Sequence, residues 1–273
     1  MVGTSFNDIF VDINDSIYVI DDSNNRIEIW SKGNMTPTRT IFSNLNAARG
    51  IFAQLDGTVY TIHRLASNTI NRWTVNGSNS VVTMYPNGTC VRIFMDINNY
   101  LYCSMDPPHQ VVKKILDNSM ATSIVVAGNG THGSASNLLY SPRGIFVDRN
   151  LNLYVADCGN NRIQIFQPGR SIGRTLSING SYGTFTLNLP TDVTLDVNGY
   201  PFIVDYDNHR ILGSDSQGFR CIVGCSHGMG STSYQLYNPL SFSFDSYGNL
   251  LVVDTRNNRL QEFSLTWNEC GKF

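Results

Sequence analysis

The sequence lacks any apolar run long enough to cross a membrane as a helix. Its apolar stretches are only a few residues long, whereas a membrane-spanning helix needs about 18 or more. The first residues, MVGTSFNDIF, have neither the basic start nor the long apolar stretch of a signal peptide. We therefore expect no membrane span in this segment. If the full protein is secreted or anchored, its targeting segment is expected to lie outside this chain.

Charged residues are scarce and do not cluster. They make up 15% of the chain, and the formal net charge is −2. The chain has no basic run with interleaved aromatic residues, which a surface that follows a phosphate backbone requires. We therefore expect no nucleic-acid ligand.

A unit of three short strands recurs six times along the chain. Its clearest copy is PRGIFVDRNLNLYVADCGNNRIQIF at Pro142–Phe166, where runs rich in β-branched and aromatic residues alternate with turns rich in Asn and Gly. Each first strand ends at an anchor residue, and the anchors recur every 42 to 52 residues: Asp12, Gln54, Asp96, Asp148, Asp196 and Asp245. A period in the forties with several strands per unit predicts a β-propeller. We expect one domain over residues 1–273.

The three strands of a unit are predicted to differ in burial. GIFVD and LYVAD are apolar on both faces, whereas RIQIF alternates apolar and polar residues. A strand that is apolar on both faces is covered on both, and an alternating strand is half exposed. The first strand is therefore predicted to lie deepest, and the third to be half exposed. Asp157 and Arg162 are predicted to brace the turn between the second and third strands.

The pattern P-x-G-I-x-V-D, followed by L-Y-V-A-D-x-x-N-x-R-I, resembles the NHL repeat. This resemblance covers nearly the whole chain and implies an all-β, six-bladed propeller with mostly four-stranded blades. Unit two departs from the pattern at Gln54 and His63, and unit three departs at Met105 and Gln110. The resemblance implies the fold more than the function, because similar propellers serve as protein-binding modules, RNA readers, receptor sensor domains and enzymes.

A fourth strand is expected after each triplet except the last. The candidates are Thr38–Ser43, Ser80–Met84, Ser123–Val126, Arg174–Ile178 and Arg220–Val223. After Phe263 only Ser264–Phe273 remains, and the N-terminus offers only Met1–Ser5. Either the last blade is three-stranded or the chain is a piece of a longer protein, and we favour the second.

A candidate binding site lies where the linkers between blades meet the first strands. In a propeller these linkers share one face, here called the linker face, with the turns between second and third strands. It carries the long segments Gly128–Tyr140 and Gly224–Tyr237, and functional loops tend to sit on rigid scaffolds in this way. Charged residues are predicted around the opening at Asp8, Arg49, Arg92, Arg143 and Asp192, with His63 as an outlying member. Arg92 and Asp192 stand where the repeat prefers Gly. We interpret the set as polar anchors for a partner; the alternative is a solvated rim of weak ion pairs.

An enzyme is the main alternative. The histidines His63, His109, His132, His209 and His227 map to the linker face, and the first-strand aspartates form a ring on the opposite face. A zinc or calcium site is conceivable, but solvated histidines and turn-initiating aspartates account for both sets. Among propeller enzymes, the alternatives are lactonases and peptide-amidating lyases. Of the three glutamates, Glu28 and Glu262 lie on third strands and Glu269 in the tail, so none is placed for a channel metal.

Cysteines and sequons favour an extracellular setting. Cys90 with Cys103, and Cys221 with Cys225, are candidate disulfides, while Cys158 and Cys270 have no assigned partner. The alternative is six buried thiols. Candidate glycan sites are Asn14, Asn34, Asn76, Asn87, Asn129 and Asn179.

The sequence therefore predicts a non-enzymatic binding module. We expect a monomeric extracellular propeller, or the extracellular part of a membrane-anchored protein, that recognises a protein, peptide or glycan through the linker face. We predict no catalytic residue, no metal and no cofactor. The alternatives are a metal-dependent lyase or lactonase and, third, an intracellular scaffold or RNA-binding domain.

Overall fold

The computed structural model describes residues 6–34, 36–42, 48–63, 68–74, 80–116, 122–180, 183–225 and 228–264. In these ranges the chain is all-β and forms six antiparallel sheets, which are the blades of a ring, and one short hairpin. The all-β propeller predicted from the sequence is confirmed. No helix in these ranges is both long and apolar enough to cross a membrane.

Blades 1 to 3 each contain four strands that pair in chain order. Blade 1 consists of β1 (Phe6–Val11), β2 (Ile17–Asp21), β3 (Arg26–Trp30) and β4 (Arg39–Phe42). Blade 2 consists of β5 (Ile51–Ala53), β6 (Val59–His63), β7 (Thr69–Trp73) and β8 (Ser80–Met84). Blade 3 consists of β9 (Cys90–Met95), β10 (Tyr100–Met105), β11 (Gln110–Ile115) and β12 (Ile124–Ala127).

Blades 4 to 6 follow the same order. Blade 4 consists of β13 (Pro142–Val147), β14 (Leu153–Asp157), β15 (Arg162–Phe166) and β16 (Arg174–Thr175), and is followed by the hairpin β17 (Asn179–Gly180) and β18 (Gly183–Thr184). Blade 5 consists of β19 (Pro190–Leu195), β20 (Pro201–Asp205), β21 (Arg210–Asp215) and β22 (Gly218–Val223). The described part of blade 6 consists of β23 (Pro239–Phe244), β24 (Leu250–Asp254) and β25 (Arg259–Phe263). The five predicted fourth strands are confirmed at β4, β8, β12, β16 and β22. Met1–Ser5 and the segment after Ser264 lie outside the described residues.

The turn between the first and second strands is organised by the anchor aspartate. In blade 4, Asp148 Oδ1 accepts the N–H groups of Asn150 and Asn152 at 2.9 and 2.8 Å. Leu151 between them takes the left-handed conformation, with φ of 62°. The same two bonds form at Asp12, Asp96, Asp196 and Asp245. The predicted turn-initiating role is therefore confirmed for all five aspartates.

The turn between the second and third strands is held by a buried aspartate and an arginine. Asp157 is fully buried and accepts bonds from Arg162 Nε at 2.7 Å and Asn160 Nδ2 at 2.8 Å. Its other oxygen accepts the N–H of Tyr140 at 2.7 Å, and Arg162 donates to the carbonyl of Ser134. The pair therefore braces the turn, as predicted, and also fastens the preceding linker. Blades 1, 5 and 6 repeat the ion pair with Asp21–Arg26, Asp205–Arg210 and Asp254–Arg259.

The hydrophobic core is divided into six clusters, and each cluster lies between two successive blades. The cluster that joins blade 6 to blade 1 includes Phe6, Val19 and Val253. A hydrogen bond of 3.1 Å from the N–H of Val11 to Ser243 Oγ crosses the same seam. In the described residues the ring is thus closed by packing of β1 against blade 6.

The predicted decrease in burial from first to third strand is wrong for blade 4. In blade 4 the third strand is almost wholly buried, and Gln164, which was predicted to face solvent, is inaccessible. Gln164 instead accepts a bond from Thr175 Oγ1 of the fourth strand at 2.9 Å. The physical reason is that both faces of each blade pack on neighbouring blades, whereas the first strand lines the central channel and keeps residues such as Phe146 half-buried.

Candidate functional site

The first strands surround a central channel with two rings of side chains. The cavity of 240 Å³ is lined in part by Phe10, Phe52, Phe94, Phe146, Thr194 and Ser243, which stand two residues before each anchor. Nearer the linker face it is lined by Asp8, Arg92, Asp192 and Ser241, which stand four residues before the anchors. The two sets share one face of their strands because side chains alternate with a period of two.

The polar ring is a connected cluster rather than a set of independent side chains. Arg92 of blade 3 forms an ion pair with Asp8 of blade 1. The hydroxyl of Ser241, in blade 6, lies 2.7 Å from Asp8 Oδ1 and 2.9 Å from Asp192 Oδ2. Asp8 also accepts the N–H groups of Ile9 and Ile51 at 2.9 and 3.0 Å. Asp8 and Arg92 are buried, and Asp192 is half-buried.

Arg92 closes the channel at this level. Its guanidinium crosses from blade 3 to blade 6 on the opposite side of the ring and donates to the carbonyl of Leu240 at 3.2 Å. Gly144 leaves the room that the cluster needs, because a Cβ there would lie 2.6 Å from the Cα of Asp192. The NHL repeat prefers glycine at this position. Blade 4 keeps it as Gly144, and this glycine makes room for Asp192, which occupies the same position in blade 5.

Asp192 is the carboxyl group of this cluster whose pKa is raised. Ser241 has one hydroxyl proton and lies between two carboxylates, so it donates to only one of them when both are ionised. Burial raises the pKa of Asp192 to about 6, the nearby Arg92 lowers it and Asp8 raises it. Below about pH 6, a protonated Asp192 donates to Ser241, which donates to Asp8, and the remaining Asp8–Arg92 pair is neutral overall.

Above the cluster, the channel opens into a pocket of 160 Å³ on the linker face, here called the mouth. It is lined by Asn7, Arg49, Val91, Arg92, Arg143, Thr191 and Leu240. Val91, Thr191 and Leu240 are extra residues at β-bulges, where the register with the second strand shifts. A bulge re-aims a side chain, which places these residues at the opening. Arg49 and Arg143 are half-buried.

The structure separates the six predicted binding residues into three groups. Arg49 and Arg143 line the mouth, as the hypothesis required. Asp8, Arg92 and Asp192 also converge, but deeper in the channel, where they bind one another. His63 does not line the channel or the mouth. It is buried in blade 2 against Trp73, with ring centroids 5.9 Å apart and Nε2 3.2 Å from Thr61 Oγ1, and burial lowers its pKa.

The other described histidines have structural contacts. His109 Nδ1 accepts the N–H of Ser141, and His209 Nδ1 accepts the N–H of Asn238, both at 3.2 Å. Both histidines therefore fasten the linker that leads to the next blade. His132 packs on Tyr140 with ring centroids 5.4 Å apart. His227 lies outside the described residues.

The two glutamates of the described ranges lie away from the channel. Glu28 on β3 pairs with Arg26 at 2.7 Å, and Glu262 lies on the outer strand β25. In the part of the chain that the structure describes, no group of three His, Cys, Asp or Glu side chains is arranged to hold a metal ion.

Both predicted cysteine pairs have their sulfur atoms at disulfide-bonding distance. The Cα atoms are 5.7 Å apart for Cys90–Cys103 and 5.5 Å apart for Cys221–Cys225. Cys158 is a buried free cysteine, whose pKa burial raises. Cys270 lies outside the described residues. Of the sequon asparagines, Asn14, Asn34, Asn87, Asn129 and Asn179 are exposed, and Asn76 lies outside the described residues.

Six radially arranged sheets around a channel define the class of this protein as a six-bladed β-propeller. Residues 139–166, which contain the first three strands of blade 4, match the family model of the NHL repeat. The resemblance seen in the sequence is thereby confirmed for this blade. A comparison with curated proteins gives no significant match.

Solved structures of similar fold include proteins of different kinds. A structural genomics protein of unknown function from Bacteroides thetaiotaomicron has a TM-score of 0.75 and 14% identity, over 96% of this chain and 69% of that one. Virginiamycin B lyase from Staphylococcus aureus has a TM-score of 0.61 and 14% identity, over 97% and 86%. A chain of a nidogen/laminin complex has a TM-score of 0.60 and 17% identity, over 96% and 93%. At these identities the likeness establishes the fold alone, which enzymes and binding proteins share.

Proposed function

We propose that this propeller is a non-enzymatic binding module whose mouth recognises a protein, peptide or glycan partner. The observation that carries the proposal is the set of described side chains that line the mouth, which includes Arg49 and Arg143. Arg92 lies at the floor, where Asp8 neutralises it. Above it, the half-buried Arg49 and Arg143 add two guanidinium groups to the lining of the mouth.

An anionic group on the partner matches this charge. A guanidinium presents a planar fork of donors that fits a carboxylate, and such charge-assisted bonds are among the strong ones. The pocket of 160 Å³ suits one acidic side chain or one acidic sugar rather than a large ligand. The surrounding linkers, fastened by Arg162, His109 and His209, supply a firm surface for the rest of the partner.

Replacing Arg49 and Arg143 together by alanine is expected to weaken binding of acidic probes at least about tenfold, because each charge-assisted bond contributes on the order of 1.5–3 kcal/mol. The probes are N-acetylneuraminic acid and the peptide Ac-Gly-Glu-Gly-NH2, titrated by calorimetry. The matched control replaces Arg149 and Arg170, two exposed arginines outside the mouth. Equal affinity of the Arg49/Arg143 variant and the wild type would contradict the proposal.

Arg92 is unsuited to this test, although the sequence suggested it. Its guanidinium is buried and paired with Asp8, so its removal is expected to destabilise the fold itself. A loss of binding in such a variant would not report on the mouth.

An extracellular setting is the second part of the proposal, supported by the two cysteine pairs and the five exposed sequons. In protein purified from a secreting eukaryotic host, alkylation in denaturant without reductant is expected to leave Cys90, Cys103, Cys221 and Cys225 unmodified. Cys158 serves as the internal control, since unfolding exposes its free thiol. Peptide mass spectrometry reads out the thiols and any glycan on the exposed asparagines. Labelling of all four cysteines would speak against this setting.

A further inference from the structure

Four blades expose a large aliphatic residue at the same point of their first turn. Ile13, Leu55, Ile97 and Val197 each follow the anchor residue directly, and they are 73%, 66%, 71% and fully exposed. They surround the channel on the face opposite the linkers, here called the turn face. Isolated exposed apolar residues are ordinary on protein surfaces, whereas a contiguous apolar patch marks an interaction site.

The turn itself does not require an apolar residue at this position. The anchor forms the turn by accepting the N–H groups two and four residues later, and the residue directly after it is not involved. Blade 4 has Arg149 there, and blade 6 has Ser246 with the same two turn bonds. The aliphatic side chains in the other four blades are therefore unexplained by local structure.

Three of these side chains surround a cavity that continues into the channel. Ile13, Leu55 and Ile97 line a space of 530 Å³ between blades 1, 2 and 3, together with Phe10, Phe52 and Met95. We call these three aliphatic residues the apolar rim.

The cavity leads to a row of phenylalanines inside the channel. Phe10 and Phe52 also line the channel cavity, where their ring centroids lie 4.7 Å apart. The row continues through Phe94 to Phe146, with centroid distances of 5.7 and 5.0 Å. A large apolar side chain that entered past the apolar rim would meet aromatic surface on its far side.

The charges around the apolar rim are predominantly negative. The six first turns contain the anchors Asp12, Asp96, Asp148, Asp196 and Asp245, and also Asp15 and Asp56, against the single cation Arg149. Lys32 neutralises Asp15 at 3.0 Å, and Asp56 is exposed. This field attracts cations and repels an anionic surface.

We propose that the apolar rim is a docking site for a protein segment that inserts a large apolar side chain between flanking Lys or Arg residues. The apolar side chain fills the cavity, and the basic residues face the aspartates of the first turns. The site lies on the face opposite the mouth and does not depend on Arg49 or Arg143. It therefore gives the propeller a second partner surface of different chemistry.

The test is a titration of the intact chain, at low ionic strength, with the peptide Ac-Gly-Lys-Lys-Leu-Phe-Lys-Lys-Gly-NH2, followed by calorimetry. The wild type is expected to bind it, and the triple variant Ile13→Ser, Leu55→Ser, Ile97→Ser is expected to bind at least tenfold more weakly. Serine is chosen because blade 6 carries Ser246 in the same turn. The matched control is Ile124→Ser, which removes an exposed isoleucine (50% exposed) from an outer strand.

Two further probes separate the sources of binding. The peptide with Glu in place of every Lys is expected not to bind, and vesicles of phosphatidylcholine are expected not to retain the protein. Any of three results would overturn the proposal. The basic peptide does not bind the wild type, the triple variant binds it as tightly as the wild type does, or the acidic peptide binds as tightly as the basic one. The proposal would also be overturned if the vesicles retain the wild type but not the triple variant, because the occupant of the site would then be lipid.

Discussion

Replacing Asp157 by alanine is expected to lower the free energy of unfolding by about 3–5 kcal/mol. The carboxylate is fully buried and accepts bonds from Tyr140, Asn160 and Arg162. Its removal leaves the Arg162 guanidinium without its counterion and a backbone N–H without its acceptor, and both losses are costly in a buried site. Urea denaturation of wild type and variant, followed by tryptophan fluorescence, measures the difference.

The control for this prediction is Asp196→Ala in the next blade. Asp196 accepts two N–H groups in a turn that is largely exposed to water, so its loss is expected to cost only about 1 kcal/mol. Blade 3 supplies a second comparison, since Met105 and Gln110 occupy the positions of Asp157 and Arg162. The double variant Asp157→Met, Arg162→Gln is expected to be more stable than Asp157→Ala, because it strands no buried charge. If Asp157→Ala and Asp196→Ala lower the free energy of unfolding by similar amounts, Asp157 does not brace the second turn as described.

Replacing Arg92 by methionine is expected to cost about 3–5 kcal/mol at pH 7.5. Among the described residues that line the central cavity, Arg92 is the only cation at the level of Asp8 and Asp192. Without it, two carboxylates face each other and Ser241 across the channel. Thermal and urea unfolding at pH 7.5 measure the loss.

The loss in the Arg92 variant is expected to shrink as the pH falls. The pKa of Asp192 is raised to about 6 in the folded protein, above the value of about 4 in an unfolded chain. The folded state therefore binds more protons than the unfolded state between these pH values, and stability falls as pH rises through this window. Methionine at position 92 removes the positive charge that lowers the pKa of Asp192. The stability of the variant is therefore expected to fall more than that of the wild type as the pH rises.

Adding Asp192→Asn to the Arg92 variant tests the same account. The double variant keeps a hydrogen-bonding partner for Ser241 and removes one of the two carboxylates. It is expected to recover about 1–2 kcal/mol at pH 7.5 and little at pH 4.5, since channel water reaches the half-buried Asp192 and screens part of the effect. If replacing Arg92 costs the same stability at every pH, and the double variant recovers none of it, repulsion between Asp8 and Asp192 is excluded as the cause.

The blades were predictable from the sequence because local chemistry defines them. Five of the six described first turns depend on an aspartate that binds N–H groups two and four residues away, as in blade 4. Four of the described second turns depend on an Asp–Arg pair five residues apart. Both signals lie within a short window. The burial of Gln164 was not predictable in this way, because the neighbouring blades that cover it are distant in sequence.

The candidate site was predictable only in part for the same reason. The sequence placed Asp8, Arg92 and Asp192 around the opening of the channel, together with the other two charged residues. The contacts among these three join residues that are 84 and 100 positions apart. Arg49 and Arg143 were placed correctly because each stands one residue before the channel-facing position of its strand. The apolar rim was overlooked, although Ile13, Leu55 and Ile97 follow the anchors in the sequence.

The Arg92 crossing has a consequence for the two faces of the propeller. A side chain that spans the channel from blade 3 to the carbonyl of Leu240 acts as an internal partition. The linker side of the channel is lined by Arg49 and Arg143, and the other side is lined by phenylalanines and opens toward acidic turns. Arg92 lines the cavities on both sides of this level. The mouth and the apolar rim therefore lie on opposite sides of this side chain, and by the two proposals above the propeller holds two unlike molecules at a fixed separation.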